Sequence, residues 1–331
     1  LIETLVAIPS VTGQEQQLSD WLADYFGSLG LSGVQQVSVD EAGDSIVAWI
    51  DGASEGPTLL FNFHLDTFDA FEGWQTDPLV ATRSDDRLYG LGAHDMKGGA
   101  ACVLAAVEAL AQSGAQLGGR LIIAATSDEE NWSRGAHALI ESGLIDGSLG
   151  CLIPEPAPAG TLTVGARGRH VFHLTFHGRT VHSAYDSGVS ALTDAARFVA
   201  ALSEPNAVKL GYDAEFDMTG SQCVIGLESG GQLVLVPERA DVYVDRFTLP
   251  GQTAEQAAAQ LHAVAAATKI EGSYELSWDE RPTPAPTPYV VPIDSRLVRC
   301  VTKHLAAEQQ REIRYILARS VADTNHLAIH G

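Results

Sequence analysis

Hydrophobic and polar positions in the first half of the chain alternate between the spacings of strands and of helices. Short apolar runs predict strands at 45–50, 58–63, 120–126 and 149–153. Amphipathic or small-residue segments predict helices at 18–29, 98–111 and 133–141. This alternation indicates an α/β domain, with a mostly parallel sheet covered by helices. In such sheets ligands bind beyond the carboxyl ends of the strands.

From residue 168 the spacing becomes that of strands with one buried face. In HVFHLTF, residues 170–176, apolar positions 172, 174 and 176 alternate with polar ones. Later segments predict a helix at 189–202, strands at 222–227 and 240–247, a helix at 253–267 and a strand at 273–278. The order βαββαβ indicates an α+β domain of ferredoxin-like type.

A proline-rich segment, 281–292, predicts an extended link out of this second domain, and a helix at 295–307 follows it. We therefore predict one domain formed by residues 1–167 and 282–331. The second domain, residues 168–281, is inserted into it.

Composition and charge narrow the class of function. The 331 residues are 45% hydrophobic, which suffices for buried cores and suits a soluble enzyme. A net charge of −22 with only four lysines argues against nucleic acid and against an anionic membrane as partners. We attribute most of the acidic excess to a solvated surface.

The cysteines and the ends of the chain bear on its location. Cys102, Cys151, Cys223 and Cys300 lie far apart without CxxC spacing, which disfavours a zinc knuckle and a disulfide framework. A cytoplasmic, reducing location fits this pattern best. No signal peptide or membrane-spanning run is visible, and because the chain opens on Leu1 we expect its natural start to lie upstream.

His64 follows directly on the predicted strand 58–63, and Asp66 comes two residues later. In extended chain the two side chains point to the same side. The carboxylate would then accept a hydrogen bond from one imidazole nitrogen and leave the other nitrogen for a metal. A buried histidine that pairs with a neighbouring aspartate for structural reasons is the alternative.

Further carboxylates stand at other predicted strand ends or before a helix. Asp95 precedes a glycine-rich helix start, where a helix N-cap is the alternative. Asp128, Glu129 and Glu130 follow the third predicted strand, and adjacent carboxylates repel one another unless they are solvated. Glu155 follows the fourth strand between two prolines, where an ordinary loop glutamate is the alternative.

A shared cation explains all of these positions together. One imidazole with several carboxylates suits Zn²⁺, with Mn²⁺ or Co²⁺ as substitutes, and the number of carboxylates suggests two ions bridged by one of them. Two such ions polarise a carbonyl and activate a water held between them. A carboxylate that binds no metal is then needed as general base.

Five motifs, in order and spacing, resemble one enzyme family. HLDT, YGLGAHDMKGG, SDEE, PEP and HGRTVHSA are similar to those of the acetylornithine deacetylase, succinyl-diaminopimelate desuccinylase and glutamate carboxypeptidase family of di-zinc amidohydrolases. The resemblance runs from IPSVTGQE near residue 8 to ADTNHLA at 328. It implies that the first domain is a zinc-dependent catalytic domain. The inserted domain would be a lid through which two subunits form a homodimer.

The resemblance also implies roles for the residues at the strand ends. His64 and Glu155 would be terminal metal ligands, Glu130 a ligand of the second ion, and Asp95 the bridge between the two. Asp66 would orient His64. The family commonly has a cis peptide bond directly after the bridging aspartate.

The resemblance implies that two further residues transfer protons and stabilise the oxyanion. Glu129 would be the general base that takes a proton from water and passes it to the leaving amine. His182, in HGRTVHSA, would reach the active site of the partner subunit and stabilise the developing oxyanion. His170, His173 and His177 have no motif match, and we expect them on the surface of their strand.

The C-terminus departs from the family pattern. Beyond ADTN the family continues to another metal-binding histidine, whereas this chain stops at Gly331. Neither His326 nor His330 has the sequence context of that ligand. We therefore expect the natural protein to continue.

The second departure concerns substrate recognition in the lid. Val234 and Phe247 stand where the family usually has an asparagine and an arginine, the latter the usual clamp for the substrate's α-carboxylate. Arg246 would face the other side of its strand unless a bulge intervenes. Arg246 is therefore the candidate substrate-binding residue if a bulge is present, and an apolar pocket is expected if it is not.

The leading hypothesis is a di-zinc amidohydrolase that cleaves an N-acyl amino acid, in the manner of acetylornithine deacetylase, or a small peptide. A desuccinylase or a carboxypeptidase of the same family differs from it only in the pocket. A non-catalytic relative that keeps the fold for binding or dimerisation is the alternative of another class. Glu129 favours an enzyme, because a binding protein needs no general base.

Overall fold

The computed structural model describes residues 1–185, 187–278 and 280–330. The chain divides into two compact units. The first contains residues 1–162, 292–314 and the segment from residue 322 onward, and the second contains residues 163–291 and 315–321. The sequence-based boundaries at 167/168 and 281/282 lie near these divisions, and the segment 315–321 joins the second unit.

The helices, in chain order, are α1 (Ile2–Ala7), α2 (Gln16–Ser28), α3 (Lys97–Ser113), α4 (Arg134–Glu141), α5 (Ala191–Leu202), α6 (Ala254–Ala267), α7 (Arg296–Gln309) and α8 (Thr324–His330). The strands are β1 (Gly33–Val37), β2 (Ser45–Ile50), β3 (Thr58–His64), β4 (Thr82–Ser84), β5 (Arg87–Tyr89), β6 (Arg120–Thr126), β7 (Ser148–Leu152), β8 (Thr161–Ala166), β9 (Gly168–His177), β10 (Tyr212–Asp213), β11 (Met218–Thr219), β12 (Ser221–Ser229), β13 (Arg239–Thr248), β14 (Ser273–Trp278), β15 (Tyr289–Val290) and β16 (Arg314–Ala318). Among the described residues, no helix has the length and apolar character needed to span a membrane.

The first unit is built on a mixed sheet with the strand order β1-β2-β6-β3-β7. Strands β6, β3 and β7 run parallel, whereas β1 and β2 pair antiparallel at one side. Helices cover both faces: Ile46 and Ala48 pack with α1, α2 and α3, and Val47, between them, packs with α4 and α8. The predicted α/β domain is confirmed, and its parallel part is the part that carries the candidate site.

The second unit contains an antiparallel sheet with the strand order β12-β13-β9-β14. Helices α5 and α6 cover one face, where Phe172, Leu174 and Phe176 of β9 pack against Phe198 and Leu261. For this sheet and its two helices the predicted βαββαβ order is confirmed, and β10 and β11 form a separate two-stranded sheet between α5 and β12.

His170 corrects one expectation. It is 5% exposed, so its predicted place on the surface is wrong. The reason is the two-residue period of a strand: His170 has the same parity as Phe172 and therefore points to the buried face. His173 and His177 have the opposite parity and are partly exposed.

Candidate metal centre

The candidate site lies in the first unit, beyond the carboxyl ends of three neighbouring parallel strands. β3 ends at His64, and the loops after β6 and β7 carry Glu130 and Glu155. Asp95 precedes the first turn of α3. Because parallel strands end at the same edge of a sheet, these loops converge there.

His64 is held so that one ring nitrogen faces carboxylates. Its side chain is buried, and Nδ1 lies 2.9 Å from the backbone oxygen of Asp66. A carbonyl oxygen only accepts, so Nδ1 carries the hydrogen and Nε2 presents its lone pair. Nε2 lies 3.2 Å from Asp95 Oδ1 and 3.7 Å from Glu155 Oε1. Two acceptors this close are stable only with a cation, either a proton or a metal, between them.

The donor set fits a metal ion. His64, Asp95 and Glu130 each offer one ligand atom, and these atoms lie within 4.8 Å of one another. Imidazole nitrogen and carboxylate oxygen are ligands of Zn²⁺ and related divalent ions. The Asp95 side chain is 54% exposed, so this group of side chains is open to solvent. The peptide bond from Asp95 to Met96 is cis, as expected.

Asp66 connects the histidine to the loop after β6. It is 1% exposed, and its Oδ1 and Oδ2 accept the backbone N–H groups of Glu129 and Glu130, each at 3.0 Å. Thr12 Oγ1 donates to Oδ2 at 3.0 Å, and His64 Nδ1 lies 3.5 Å from Oδ1. The Asp66 carboxylate thus fixes the backbone of Glu129 and Glu130. The hydrogen bond to His64 Nδ1 is made by the backbone oxygen of Asp66 and not by the expected carboxylate, so the orienting role of that carboxylate stays a prediction.

Burial and mutual repulsion raise the pKa values of several carboxyl groups here. Burial, with neighbouring negative charges, raises the pKa of Glu130 to about 7 and that of Glu155 to about 8. Burial also raises the pKa of Glu129 well above its ordinary value. Burial opposes protonation of His64, yet contacts with Asp66 and Asp95 raise its pKa. These raised values show that negative charge is unfavourable here until a cation compensates it, so the site favours a cation.

Comparison with known proteins supports this picture. The sequence profile of peptidase family M20/M25/M40 matches residues 60–326. The chain belongs to this family. Succinyl-diaminopimelate desuccinylase from Bordetella avium is 29% identical over 292 residues, which are 84% of this chain and 74% of that protein. The enzyme of the same name from Methylobacterium radiotolerans is 35% identical over 196 residues, which are 56% of this chain and 50% of that protein.

Several other matched desuccinylases are likewise covered over about half their length. Among solved M20-like structures, aminopeptidase PepT from Bacillus cereus gives a TM-score of 0.78 at 20% identity, with 100% of this chain and 86% of that one covered. The YXEP protein of Bacillus subtilis, described as a dinuclear metal binding peptidase from M20 family, gives 0.70 at 14% identity, with 98% and 83% covered. These low identities establish the fold alone.

Glu15 is a site-supporting residue that the sequence did not single out. It is fully buried, and its carboxylate accepts the backbone N–H groups of Gly13 at 2.9 Å, Gly43 at 2.8 Å and Asp128 at 3.2 Å. Asp128 has a left-handed φ of +64°, a strained conformation for a residue with a side chain. Glu15 lies in the IPSVTGQE segment of the M20 resemblance, which is the signal that marks it.

Asp323 is the other supporting acid. It is 1% exposed, and its Oδ2 accepts the hydroxyl of Thr126 at 2.7 Å, directly before the loop that carries Glu129. Burial raises the pKa of Asp323 to about 6. Its signal in the sequence is the ADTN segment. Asp128, by contrast, is paired with Arg134 and stands apart from the ligand cluster.

His182 lies in the second unit, on an exposed segment that bridges to Leu235. The backbone N–H of Ala184 donates to His182 Nδ1 at 3.1 Å. An accepting nitrogen carries no hydrogen, so Nε2 of the neutral ring is a donor.

Arg246 lies on the helix side of β13, opposite to the face that carries Phe247. Strand β13 pairs with β9 in continuous register through both residues, and the register shift in this sheet is in β12, between Val224 and Gly226. Because no bulge turns Arg246 over, it is 2% exposed, and its placement gives no support to the expected substrate contact. Phe247 is flanked by the guanidinium group of Arg167, 4.6 Å from the ring centre.

Proposed function

We propose that this chain is part of a metal-dependent amide hydrolase that cleaves an N-acyl amino acid or a small peptide. One observation carries the proposal: His64, Asp95 and Glu130 offer ligand atoms within 4.8 Å of one another. Glu129 precedes Glu130 in the chain and interacts electrostatically with His64. Residues 1–167 and 282–331 are the proposed catalytic domain, and residues 168–281 the proposed lid.

His64, Asp95, Glu130 and Glu155 would hold the metal, with Asp95 as the bridge in a two-ion centre. We propose Zn²⁺, two per subunit, with Co²⁺ or Mn²⁺ as substitutes. The mixed nitrogen and oxygen donor set supports this assignment, as does the dinuclear description of the Bacillus subtilis relative. When bound, the metal polarises the scissile carbonyl and makes water a better nucleophile near neutral pH.

Glu129 is the proposed general base. Its carboxylate would take a proton from the attacking water and deliver it to the nitrogen of the leaving amine. Burial raises its pKa above the ordinary value, which makes the carboxylate a stronger base. Asp66 holds the Glu129 backbone in place, so the base keeps a fixed position relative to Glu130.

One alternative keeps this chemistry with a different substrate, and the other has no catalytic chemistry. A desuccinylase is supported by the matched relatives, and a peptidase by the description of the matched family. A non-catalytic binding module would need no base at position 129. Hydrolysis of N-acetyl and N-succinyl amino acids and of dipeptides should be measured in untreated, chelated and Zn²⁺- or Co²⁺-restored protein. Activity that is undiminished in metal-free protein would refute the mechanism.

A homodimer formed through the lid, with His182 supplied to the partner's site, completes the proposal. Support comes from the exposure of His182 and from its Nε2–H, which would donate to an oxyanion. Mixing a His182→Ala protein with a Glu129→Gln protein should restore activity, because one site of each mixed dimer has both groups. No recovery after confirmed subunit exchange would place His182 in its own subunit's site or outside catalysis.

The substrate pocket and the location complete the list of proposals. With Phe247 at the position of the arginine clamp, we expect substrates and their carboxamide analogues to be cleaved at similar rates. A strong preference for the free acid, lost in Arg246→Ala, would contradict this. The cytoplasmic location stays a prediction, consistent with the free thiols of Cys102, Cys151, Cys223 and Cys300.

A further inference from the structure

A small cavity lies inside the second unit, between β13 and the first turns of α6. Its volume is about 20 Å³. Arg246 and Thr248 of β13 line one side, and Thr253, Gln256 and Gln260 line the other. A cavity of this volume has room for one particle of about the size of water.

Arg246 brings an uncompensated positive charge to this cavity. Its Nη1 donates to Gln222 Oε1 at 3.3 Å and its Nη2 donates to the backbone oxygen of Lys209 at 3.0 Å, both neutral acceptors. Burial lowers the pKa of Arg246 without an opposing contribution from a described acid. Arginine nonetheless stays protonated in proteins, and a buried charge without a partner is costly.

Unused hydrogen-bond donors surround the same space. Among the described residues, neither Arg246 Nε nor Thr248 Oγ1 has a hydrogen-bond partner, although Thr248 is only 1% exposed. His170, paired with Arg246 across the sheet, likewise has both ring nitrogens unpartnered. The first turn of α6 adds the positive end of a helix dipole, and the one acidic residue in that turn, Glu255, is exposed.

We propose that this cavity binds one small monovalent anion, with chloride as the physiological ligand. The Nε–H of Arg246 and the hydroxyl of Thr248 are its donors, and the guanidinium charge is its counter-ion. The small volume favours one small ion over sulfate, phosphate or a carboxylate. The site lies within the second unit and is independent of the proposed hydrolase function.

The first test is thermal unfolding of the metal-loaded protein at constant ionic strength, with chloride replaced stepwise by gluconate. A ligand that binds only the folded state raises the melting temperature. We expect a saturable rise of a few degrees with chloride, reproduced by bromide and not by sulfate at equal millimolar concentration. A melting temperature that depends on ionic strength alone would overturn the proposal and leave water as the occupant.

Variants assign the response to the cavity. Thr248→Val keeps the side-chain shape and removes one donor, so the chloride midpoint should rise on the order of tenfold. Arg246→Met should abolish the response. Arg169→Met is the matched control, because Arg169 pairs with Asp245 on the same strand pair, and it should keep the response. An unchanged midpoint in Thr248→Val contradicts the site even if Arg246→Met fails to fold.

A direct test is the anomalous signal of crystals grown in bromide. The proposal requires a peak between Arg246 Nε and Thr248 Oγ1 in the wild type, and its loss in Thr248→Val or a clear reduction there. A bromide difference map without a peak at this position would sink the proposal.

Discussion

The two units of the chain treat ionisable side chains in opposite ways. At the strand ends of the first unit, Asp95, Glu130 and Glu155 share one neighbourhood with a single imidazole. On the open sheet face of the second unit, opposite charges pair across strands, as Arg169 does with Asp245 at 3.0 Å. Paired charges compensate each other, whereas a cluster of like charges is compensated only when it binds a ligand of opposite charge. The difference separates a structural surface from a functional site more clearly than charge content does.

The largest expected effect is on the rate, in the first unit. Glu129→Gln should lower kcat by about 10²–10⁴-fold while the metal content stays the same, because it removes a base and no ligand. Glu130→Gln, its neighbour and matched control, should lower metal affinity. Turnover and metal content per subunit are the measurements. An equal loss of metal in both variants would show that the roles of these two residues are not divided in this way.

Metal removal should have the next largest effect, on stability. Metal present at about 100–1,000 times its Kd stabilises the folded state by about 3–4 kcal/mol, and the gathered carboxylates lose their counter-ion when it is stripped. Thermal unfolding before and after chelation measures this. The Arg169–Asp245 pair contains no metal ligand, so Asp245→Asn should lower the free energy of unfolding equally in the metal-loaded and metal-free forms. A loss that depends on metal would contradict the distinction between the two units.

Glu15→Gln tests the backbone support beneath the site. The amide keeps the shape and loses the charge that accepts three N–H groups, so we expect a loss of about 1.5–3 kcal/mol in the free energy of unfolding. We also expect kcat to fall with KM little changed, because the Asp128 backbone leads directly into Glu129. Glu41→Gln is the control: that side chain is 79% exposed and pairs with Arg134 at the surface. Equal kcat values in the two variants would remove Glu15 from the positioning of the base.

Asp241→Asn should have the smallest effect. Arg239, with His173 and Thr175, holds the pKa of Asp241 below its ordinary value, against a small effect of burial. A lowered folded-state pKa stabilises the fold above the unfolded pKa of about 4, and this contribution disappears as the pH falls through the folded value. We expect a cost of about 1 kcal/mol or less at pH 7 that shrinks in acid. Unfolding curves at several pH values decide it, and a cost that grows in acid would contradict the assignment.

The sequence predicted the elements that carry regular periods. The helix at 253–267 and the strand at 273–278 were placed to within a residue of α6 and β14, since side-chain spacing reports directly which face is buried. Helix α1, with six residues, and strands β4 and β5, with three each, were not predicted, because segments this short do not establish a period. The cis bond after Asp95 came from resemblance and not from spacing.

Candidate ligands and Asp66 were visible in the sequence, whereas the support from Glu15 was not. His64 and Asp95 stand at strand and helix ends, where local pattern is informative. The role of Glu15 depends on N–H groups of Gly43 and Asp128, far away in the chain, which only tertiary folding brings together. The surroundings of Arg246 also depend on tertiary folding. The two-residue period of its strand predicts that its side chain faces inward, but it does not predict which groups the guanidinium contacts.

The way Asp66 binds the loop after β6 has a practical consequence for altering this protein. Within this loop its carboxylate accepts hydrogen bonds from the main-chain N–H groups of Glu129 and Glu130, which every residue except proline possesses. The side chains at positions 129 and 130 can therefore be replaced without loss of these two hydrogen bonds. Non-natural acids with a different side-chain length or acidity can be placed at position 129. Because the backbone keeps its position, differences in the rates of these variants will report on proton transfer alone.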